Sequence, residues 1–283
     1  MDLIPNPQSL IPSVSVITRF APAPTGYLHL GHVLNAIYVW EAARASGPDA
    51  RVLLRIEDHD RARSRHEFES ALLEDLAWLG FRADAGVTRQ SERSSLYERA
   101  LEGLRARGLT YACECSRADI GASAYSGTCR DKKLPEAAGF GVRVRVDSTI
   151  ERFDDLRLGP QEQRPSEQCG DVLVRDRDGN WTYQFAVVVD DWLQGVNLVI
   201  RGEDLLDSTG RQIQLARLVG RAQPPAFFHH ELLMKTATQK LSKSDGDTGV
   251  RDLRAKGWSA EAVIEQAKTL AAHSPNHLSP NRK

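Results

Sequence analysis

The junction between the first strand and the first helix constrains the fold more than any other part of the sequence. An alternating apolar stretch through Val16 predicts a strand, and an apolar-periodic segment from Leu30 to Ala45 predicts a helix. Between them, residues 19–26 (RFAPAPTG) are rich in breakers and predict a loop. The apolar run Val52–Ile56 suits a buried parallel strand. The order strand, helix, strand predicts an α/β fold with a parallel sheet.

The rest of the chain continues this pattern around one stretch of different character. Amphipathic periodicity predicts helices at Glu67–Leu79, Ser95–Arg107, Thr209–Val219 and Ser259–Ala272. Alternation predicts strands at Val142–Val146, Asp171–Arg175 and His230–Met234, and the α/β pattern is interpreted as resuming with the apolar runs Phe185–Val189 and Leu198–Arg201. The intervening span from 112 to 170 is β-rich and holds the cysteines, three of which fall within 17 residues, which predicts a small inserted module.

Composition excludes several classes of protein. The 283 residues carry 37 Lys and Arg against 38 Asp and Glu, a formal net charge of −1, which excludes nucleic-acid binding by bulk charge alone. Uninterrupted apolar runs reach only about five residues, against the ~20 that a membrane-spanning helix needs. Residues 1–12 lack a basic start and do not predict a secretory signal. Four cysteines do not make a disulfide scaffold, so we expect a reducing, cytoplasmic compartment.

Two histidines open the first predicted helix. His29 and His32 are spaced i, i+3 and share one face of its first turn, and Gly31 between them allows close approach of a ligand. Because a helix N-terminus presents unpaired N–H groups and partial positive charge, this turn suits a phosphate. Two imidazoles there can hydrogen-bond a phosphoryl group that gains negative charge during transfer. The alternative is two surface histidines on an ordinary capped helix.

Two short motifs carry a resemblance to a known family. The residues His-Leu-Gly-His at 29–32 resemble the HIGH signature of class I aminoacyl-tRNA synthetases, and Lys-Leu-Ser-Lys-Ser at 240–244 resembles their KMSKS signature. The two motifs stand in the order of that family. The resemblance implies catalytic roles for His29, His32 and Lys243, and binding of ATP with magnesium by Gly31, Lys240, Lys243 and Ser244. A pantothenate-synthetase-like ligase, which uses only the first motif, is an alternative.

Three stretches resemble the glutamyl-tRNA synthetase subgroup: 19–26, 55–60 and 201–209. The chemistry agrees, because an acidic substrate side chain needs fixed cations, and Arg19 and Arg201 can each give bidentate contacts to a carboxylate. The substrate ammonium needs an anion, and Glu57 follows a predicted parallel strand at its carboxyl end. The alternatives are a Glu57 paired with Arg55 or Arg61 and an Arg201 held in a structural ion pair.

The same resemblance implies three further contacts in the amino-acid pocket. Tyr183 would supply a hydroxyl, and Ala21 and Ala23 would contribute backbone groups. Relatives commonly have Ser at the position of Ala23, so a side-chain hydroxyl contact is lost there and only the backbone role carries over.

Three cysteines and a tyrosine form the last candidate site. Cys113, Cys115 and Cys129 offer three thiolates, which fit the preference of zinc for soft, tetrahedral ligation. Unliganded buried cysteines are the alternative, and Cys169 is expected to be a plain core or loop cysteine. The spacing, with Tyr125 as fourth ligand, resembles the site of the glutamyl-queuosine tRNA(Asp) synthetases, which implies one structural zinc ion.

Only 39 residues follow Ser244, which leaves no room for the helical anticodon-binding domain of a standard glutamyl-tRNA synthetase. The resemblance therefore implies the queuosine-modifying group, which activates L-glutamate with ATP and transfers it to queuosine in the anticodon stem-loop of tRNA(Asp). The alternatives are a truncated enzyme that charges tRNA(Glu) and a degenerate, non-catalytic RNA-binding paralogue. We expect a monomer without membrane attachment, with Arg130, Lys132 and Lys133 as candidates for a basic patch unless they form a solvated face.

The resemblance also divides the chain into expected segments. They are a disordered lead-in at 1–13, a Rossmann-like catalytic first half at 14–111, an inserted zinc-bearing acceptor-type module at 112–170, the catalytic second half at 171–250, a helical segment at 251–272 and a tail at 273–283.

Overall fold

A computed structural model describes residues 15–61, 63–121, 124–233 and 249–272 of the chain. The expected lead-in at 1–13 and the expected tail at 273–283 lie outside these ranges, and so do Lys240, Lys243 and Ser244. Within the described ranges, no helix combines the length and the apolar character that crossing a membrane requires.

The elements alternate along the chain in the order expected of an α/β protein. The strands are β1 Ile17–Phe20, β2 Arg51–Ile56, β3 Thr88–Arg89, β4 Thr110–Cys113, β5 Gly141–Val144, β6 Glu151–Asp155, β7 Gly159–Gln163, β8 Val172–Arg175, β9 Leu198–Gly202 and β10 Ala226–His230. The helices are α1 Leu30–Ala45, α2 His66–Trp78, α3 Ser94–Ala106, α4 Arg117–Ile120, α5 Pro165–Gln168, α6 Tyr183–Leu193, α7 Thr209–Leu218, α8 Val250–Ala255 and α9 Ala260–Ala272.

Two sheets with parallel strands lie side by side. The first has the order β1-β2-β3, all parallel, and the second has the order β7-β6-β10-β9, in which only β6 and β7 pair antiparallel. They meet where β1 runs beside β9, because the backbone N–H of Asn197 donates to the carbonyl of Ile17 at 2.9 Å and the Asn197 side chain accepts from the Ile17 N–H at 2.8 Å. The carboxyl ends of β1, β2, β9 and β10 therefore face the same side, where ligands bind in open parallel sheets.

The largest core lies between these strands and α1. Ten of the sixteen residues of α1 are buried, because the helix packs on β1, β2 and β9 with one face and is covered by α9 with another. A helix that is apolar on most sides is typical of such an interior position. The N-terminus of α1 is thereby fixed against the carboxyl ends of the parallel strands.

A third sheet is antiparallel, in the order β4-β5-β8. Its apolar face, with Val142, Val144 and Val174, packs on α3 and α6 in a second core. The segment that carries the cysteines is connected to this sheet and begins at Cys113, the last residue of β4.

Several boundaries differ from the sequence predictions. Phe185–Val189 belongs to helix α6 and not to a strand; a short apolar run does not distinguish a strand from a buried helix, and all five residues are buried here. The last strand runs over Ala226–His230 rather than His230–Met234, because it pairs in parallel with β9 from Ala226 opposite Leu198. Met234 lies outside the described residues. Strands β3, β4, β6 and β7 and the short helices α4, α5 and α8 were not predicted.

Candidate active site

The His-Leu-Gly-His motif forms the N-terminus of α1. His29 is its N-cap, and its Nδ1 accepts a hydrogen bond from the Gly31 N–H at 3.1 Å, while His32 Nδ1 accepts from the His29 N–H at 3.1 Å. The two rings lie 3.9 Å apart between centroids. Because Nδ1 is the acceptor in both rings, the proton of each neutral imidazole is assigned to Nε2. The same hydrogen bonds that cap the helix therefore leave an Nε2–H donor on each histidine.

Two glycines allow the chain to pass close to His29. A Cβ at Gly31 would lie 2.9 Å from His29 Cε1, so a side chain there would displace the ring. Gly249, where the described chain resumes after residues 234–248, pairs with His29 in an isolated antiparallel bridge, and the Val250 N–H donates to the Leu28 carbonyl at 2.9 Å. The second motif therefore precedes a segment that is attached to the first.

Buried charges gather beneath the carboxyl ends of β1, β2 and β9. Arg55 is fully buried, and its guanidinium lies 2.8 Å from Asp191 Oδ1, 3.3 Å from Glu57 Oε1 and 3.8 Å from Asp190 Oδ2. Arg19 Nε lies 3.2 Å from Asp191 Oδ1. Burial opposes these charges, but the arginines outweigh it and hold the pKa of Asp191 below its ordinary value.

Arg201 differs from Arg19 and Arg55 in its partners. It is 4% exposed, and it donates to His229 Nε2 at 3.0 Å, Gln212 Oε1 at 2.6 Å and Thr209 Oγ1 at 2.8 Å. None of these three groups is a carboxylate. Burial lowers the pKa of Arg201, and the nearby charge of Arg19 lowers it further. These contacts do not form the structural ion pair that was the alternative for Arg201. The site is suited to an anion from outside the chain.

Glu57 and Tyr183 lie next to this cluster. Burial raises the pKa of the Glu57 carboxyl, and the charges of Arg55 and Arg19 oppose the rise. The Arg55 contact is the ion pair that the sequence analysis considered as the alternative for Glu57. Tyr183 is the first residue of α6, and burial raises its pKa while the Arg201 charge counteracts the rise.

Ala21 and Ala23 lie in the loop that leaves β1. The carbonyl of Pro22 between them accepts from the Glu57 N–H at 3.0 Å, and the Thr25 N–H donates to the Ala23 carbonyl at 2.8 Å. This loop and the end of β2 are therefore held together by backbone hydrogen bonds, which brings the alanines beside Glu57.

The structure brings the three predicted cysteines together. Their sulfurs all lie within 4.8 Å of one another, with Cys115 Sγ and Cys129 Sγ at 3.6 Å. Tetrahedral zinc with Zn–S bonds near 2.3 Å would separate two sulfurs by roughly 3.8 Å. The Tyr125 hydroxyl lies 3.5 Å from Cys113 Sγ and accepts from the Cys129 N–H at 2.8 Å. Burial raises the pKa of the Cys115 thiol to about 11. The donor set therefore fits a four-coordinate zinc ion.

Two of the three residues considered for a basic patch are already paired. Arg130 bonds the buried carboxylate of Asp171 through Nε at 2.7 Å and through Nη2, and Lys132 Nζ donates to Glu114 at 2.7 Å. Arg130 thus ties the cysteine segment to Asp171, and Lys132 belongs to an exposed ion pair.

Comparison with known families agrees with this geometry. The family model for the catalytic domain of class I tRNA synthetases (E and Q) matches residues 15–126 and 128–275. The chain belongs to this family. It is accordingly a ligase of the aminoacyl-tRNA synthetase type with the class I α/β fold, and this class uses ATP.

Named relatives fall into two groups. The chain is 42% identical to the glutamyl-Q tRNA(Asp) synthetase of Rhodobacter capsulatus, over 86% of this chain and 96% of the relative. It is 39% identical to glutamate–tRNA ligase 1 of Acidithiobacillus ferrooxidans, over 89% of this chain and 56% of the ligase. A crystal structure of a glutamate tRNA ligase from Elizabethkingia meningosepticum in complex with its amino acid matches with a TM-score of 0.71 and 27% identity, over 87% of this chain and 54% of that one.

Sequence reasoning missed several members of the buried cluster. Asp190 and Asp191 directly follow the apolar run Phe185–Val189, and two acids at the end of a buried helix were a detectable signal once that run is assigned to a helix. Asp155 and His229 carried no local signal, because each simply ends or nearly ends a strand.

Proposed function

We propose that the protein activates L-glutamate with ATP and transfers the glutamyl group to queuosine in the anticodon of tRNA(Asp). The observation that carries the glutamate half is Arg201, a buried cation whose three hydrogen bonds go to uncharged groups. A buried charge without a counter-ion is costly, and a substrate carboxylate removes that cost. The names of relatives that the chain matches over most of their length support the queuosine half.

Activation would proceed by attack of the glutamate α-carboxylate on the α-phosphorus of ATP. In this proposal Arg201, with Arg19 beside it, receives the side-chain carboxylate, and Glu57 receives the ammonium group. His29 and His32 direct Nε2–H toward the phosphates, where negative charge develops, at the positive end of α1. Lys240, Lys243 and Ser244 would bind the triphosphate, and magnesium would accompany the nucleotide as part of the substrate.

We further propose that Cys113, Cys115, Tyr125 and Cys129 hold one structural zinc ion. Zinc in such a set contributes folding energy and leaves no open position for a substrate. The chain's own residues orient these ligands: Arg143 lies over the Tyr125 ring at 3.7 Å, and its Nε donates to Cys113 Sγ at 3.2 Å.

The test is ATP–pyrophosphate exchange followed by transfer to defined RNA. We expect exchange with glutamate in the absence of tRNA, little exchange with glutamine or aspartate, and transfer to queuosine-containing tRNA(Asp). Unmodified tRNA(Asp) that carries guanosine in place of queuosine is the matched control, because it differs only in the acceptor nucleoside. Transfer to tRNA(Glu) instead would overturn the queuosine half, and the absence of any exchange would overturn the activation chemistry.

A further inference from the structure

Two buried side chains, His229 and Asp155, continue the hydrogen-bond network of Arg201 on the side away from the proposed substrate. His229 Nε2 lies 3.0 Å from Arg201 Nε, and His229 Nδ1 lies 2.6 Å from Asp155 Oδ2. His229 is 0% and Asp155 3% exposed. His229 pairs directly with Arg201 in the register of β10 and β9, and Asp155 ends the neighbouring strand β6. The three groups therefore sit on adjacent strands, where the sheet fixes their spacing.

The direction of each hydrogen bond follows from the surroundings of Asp155. Its Oδ1 accepts from the N–H groups of Arg157 at 3.0 Å and Leu158 at 2.9 Å, and its Oδ2 accepts from the N–H of His229 at 3.1 Å. Because both oxygens of this carboxylate accept hydrogen bonds from backbone N–H groups, neither oxygen donates a proton to the imidazole. His229 Nδ1 consequently carries the ring proton. Its Nε2 lone pair faces Arg201 and also lies 3.2 Å from the Thr209 hydroxyl, which can donate to it because Thr209 Oγ1 accepts from Arg201.

We propose that Asp155 and His229 are positioning residues that hold Arg201 ready for a substrate carboxylate and against a carboxamide. The guanidinium has five N–H groups, and the bonds to His229, Gln212 and Thr209 leave one on each terminal nitrogen, with the Tyr183 hydroxyl as their neighbour in the proposed pocket. Two such donors match the two oxygens of a carboxylate, whereas a carboxamide would set its NH₂ against one of them. This inference rests on the proposed activation of glutamate. It adds that Asp155 and His229, which contact neither glutamate nor glutamine, help the enzyme to select glutamate.

The sharpest variant is Asp155→Asn. In this variant the NH₂ group of the asparagine must take the place of one of the two carboxylate oxygens. The Oδ1 position of Asp155 faces two backbone N–H donors. The Oδ2 position faces one backbone N–H donor and the imidazole of His229. The arrangement with fewer conflicts puts NH₂ toward His229, which then moves its proton to Nε2 and confronts the Arg201 N–H with another donor. We expect KM for glutamate to rise about tenfold or more, with KM for ATP unchanged and the preference for glutamate over glutamine reduced.

Asp171→Asn is the matched control. Asp171 is also a buried carboxylate next to a strand, and it accepts from a backbone N–H, that of Val146 at 2.9 Å, but it directly follows the span 112–170 and is bonded by Arg130 and Tyr111. We expect Asp171→Asn to lower thermal stability without changing the ratio of the glutamate and glutamine KM values. A parallel loss of kcat, ATP affinity and glutamate affinity in both variants would show a merely structural role and overturn the proposal.

Nitrogen-15 NMR of the histidine side chains tests the Asp155–His229 pair (the dyad) independently of enzyme activity. The wild-type protein should show the His229 ring protonated at Nδ1, with its signals identified among the eight histidines by comparison with His229→Gln. A wild-type ring protonated at Nε2, or on both nitrogens near neutral pH, would overturn the proposal even if glutamate is activated. The expected tautomer in a protein that shows no exchange would instead preserve the dyad and reject the proposed function.

Discussion

The imidazoles at the start of α1 illustrate how one side chain serves the helix and the site together. The Nδ1 atoms of His29 and His32 accept hydrogen bonds from backbone N–H groups that a helix end would otherwise leave unpaired. That same bond orients each ring and assigns its proton to Nε2. The simple interpretation of a capped helix and the proposed phosphate contact are therefore compatible, and the cap supplies the preorganisation that electrostatic catalysis requires.

The substitution Gly31→Ala should separate these two roles. Helix propensity alone favours Ala over Gly by about 1 kcal/mol, but the new Cβ would lie 2.9 Å from His29 Cε1 and move the ring. We expect a large fall in the rate of ATP–pyrophosphate exchange with little change in thermal unfolding. Gly103→Ala in α3 is the matched control, because a Cβ there meets no atom within 4 Å; it should retain activity. Normal exchange by the Gly31 variant would contradict the assigned ring position.

Asp75 in α2 should make stability depend on pH. Its carboxyl group is buried without a hydrogen bond to any described residue, and Arg251 Nε is 4.0 Å away. Burial raises its pKa to about 6, above the ~3.9 of an unfolded chain. The folded state therefore binds more protons between these values, and its stability falls as the pH rises through this window.

Replacing Asp75 by Asn removes this titration. We expect the free energy of unfolding at about pH 8 to rise by about 1–3 kcal/mol, with little gain at about pH 3, because the wild-type carboxyl is mostly neutral there in both states. Urea unfolding at the two pH values measures the difference. The exposed neighbour Glu74, changed to Gln, is the control and should show no such pH-dependent gain. An equal effect of Asp75→Asn at both pH values would contradict the assignment.

At the scale of elements, the insertion depends on a few close approaches. The Tyr125 segment pairs with Gly170, which has φ of 65°, and a Cβ at Gly170 would lie 2.0 Å from the Tyr125 carbonyl oxygen. Only glycine meets both conditions. Strand β5 ends at Val144, and the N–H of Val146 bonds the side chain of Asp171 instead of a neighbouring strand. The cysteine segment is thus held on β4, β5 and β8 by loop contacts, and a metal ion bound by the cysteines would add a further constraint.

If zinc supplies that constraint, ligand changes should act on metal content first. We expect about one zinc per purified chain, and Tyr125→Phe should lose it more readily to a chelator because the ring stays under Arg143 while the phenol oxygen is gone. Tyr111→Phe is the matched control: its hydroxyl donates to Asp171 at 2.6 Å and it is not a ligand. Metal analysis and thermal unfolding check both variants. A metal-free wild-type protein of unchanged stability would reject the zinc site.

At the scale of the whole molecule, one buried charge cluster joins the parallel sheet to the second core. Arg55 comes from β2, whereas Asp190 and Asp191 come from α6, which packs on the antiparallel sheet. The negative groups outweigh burial and raise the pKa of Arg55. Since a buried charge left without its partner is strongly destabilising, the cluster couples the two cores.

Arg55→Ala should accordingly cost about 3–5 kcal/mol of unfolding free energy, because it leaves three buried carboxylates without their common partner. Arg152→Ala removes an exposed ion pair with Glu162 and is the control, with an expected change within about 0.5 kcal/mol. Denaturant unfolding monitored by tryptophan fluorescence compares them. Equal small losses in both variants would show that Arg55 does not couple the two cores.

Local signals in the sequence were sufficient wherever neighbours along the chain decide the structure. The bounds of α1, Leu30–Ala45, were predicted as observed, because breakers lie on both sides of one continuous periodic segment. The closeness of Cys113, Cys115 and Cys129 followed from their spacing. Loops and caps of this kind depend on interactions within a few residues, which the sequence displays directly.

Tertiary structure decided what depends on distant partners. The run Phe185–Val189 became a helix whose residues are all buried, because α6 packs against α3, α7 and β8, and local periodicity does not encode those distant partners. Likewise, Arg201, His229 and Asp155 meet only because β9, β10 and β6 are neighbours in one sheet. Strand order is set by the summed burial and hydrogen bonding of the whole chain. The sequence by itself therefore determined the motifs and the fold class, and the sheet decided which charges those motifs meet.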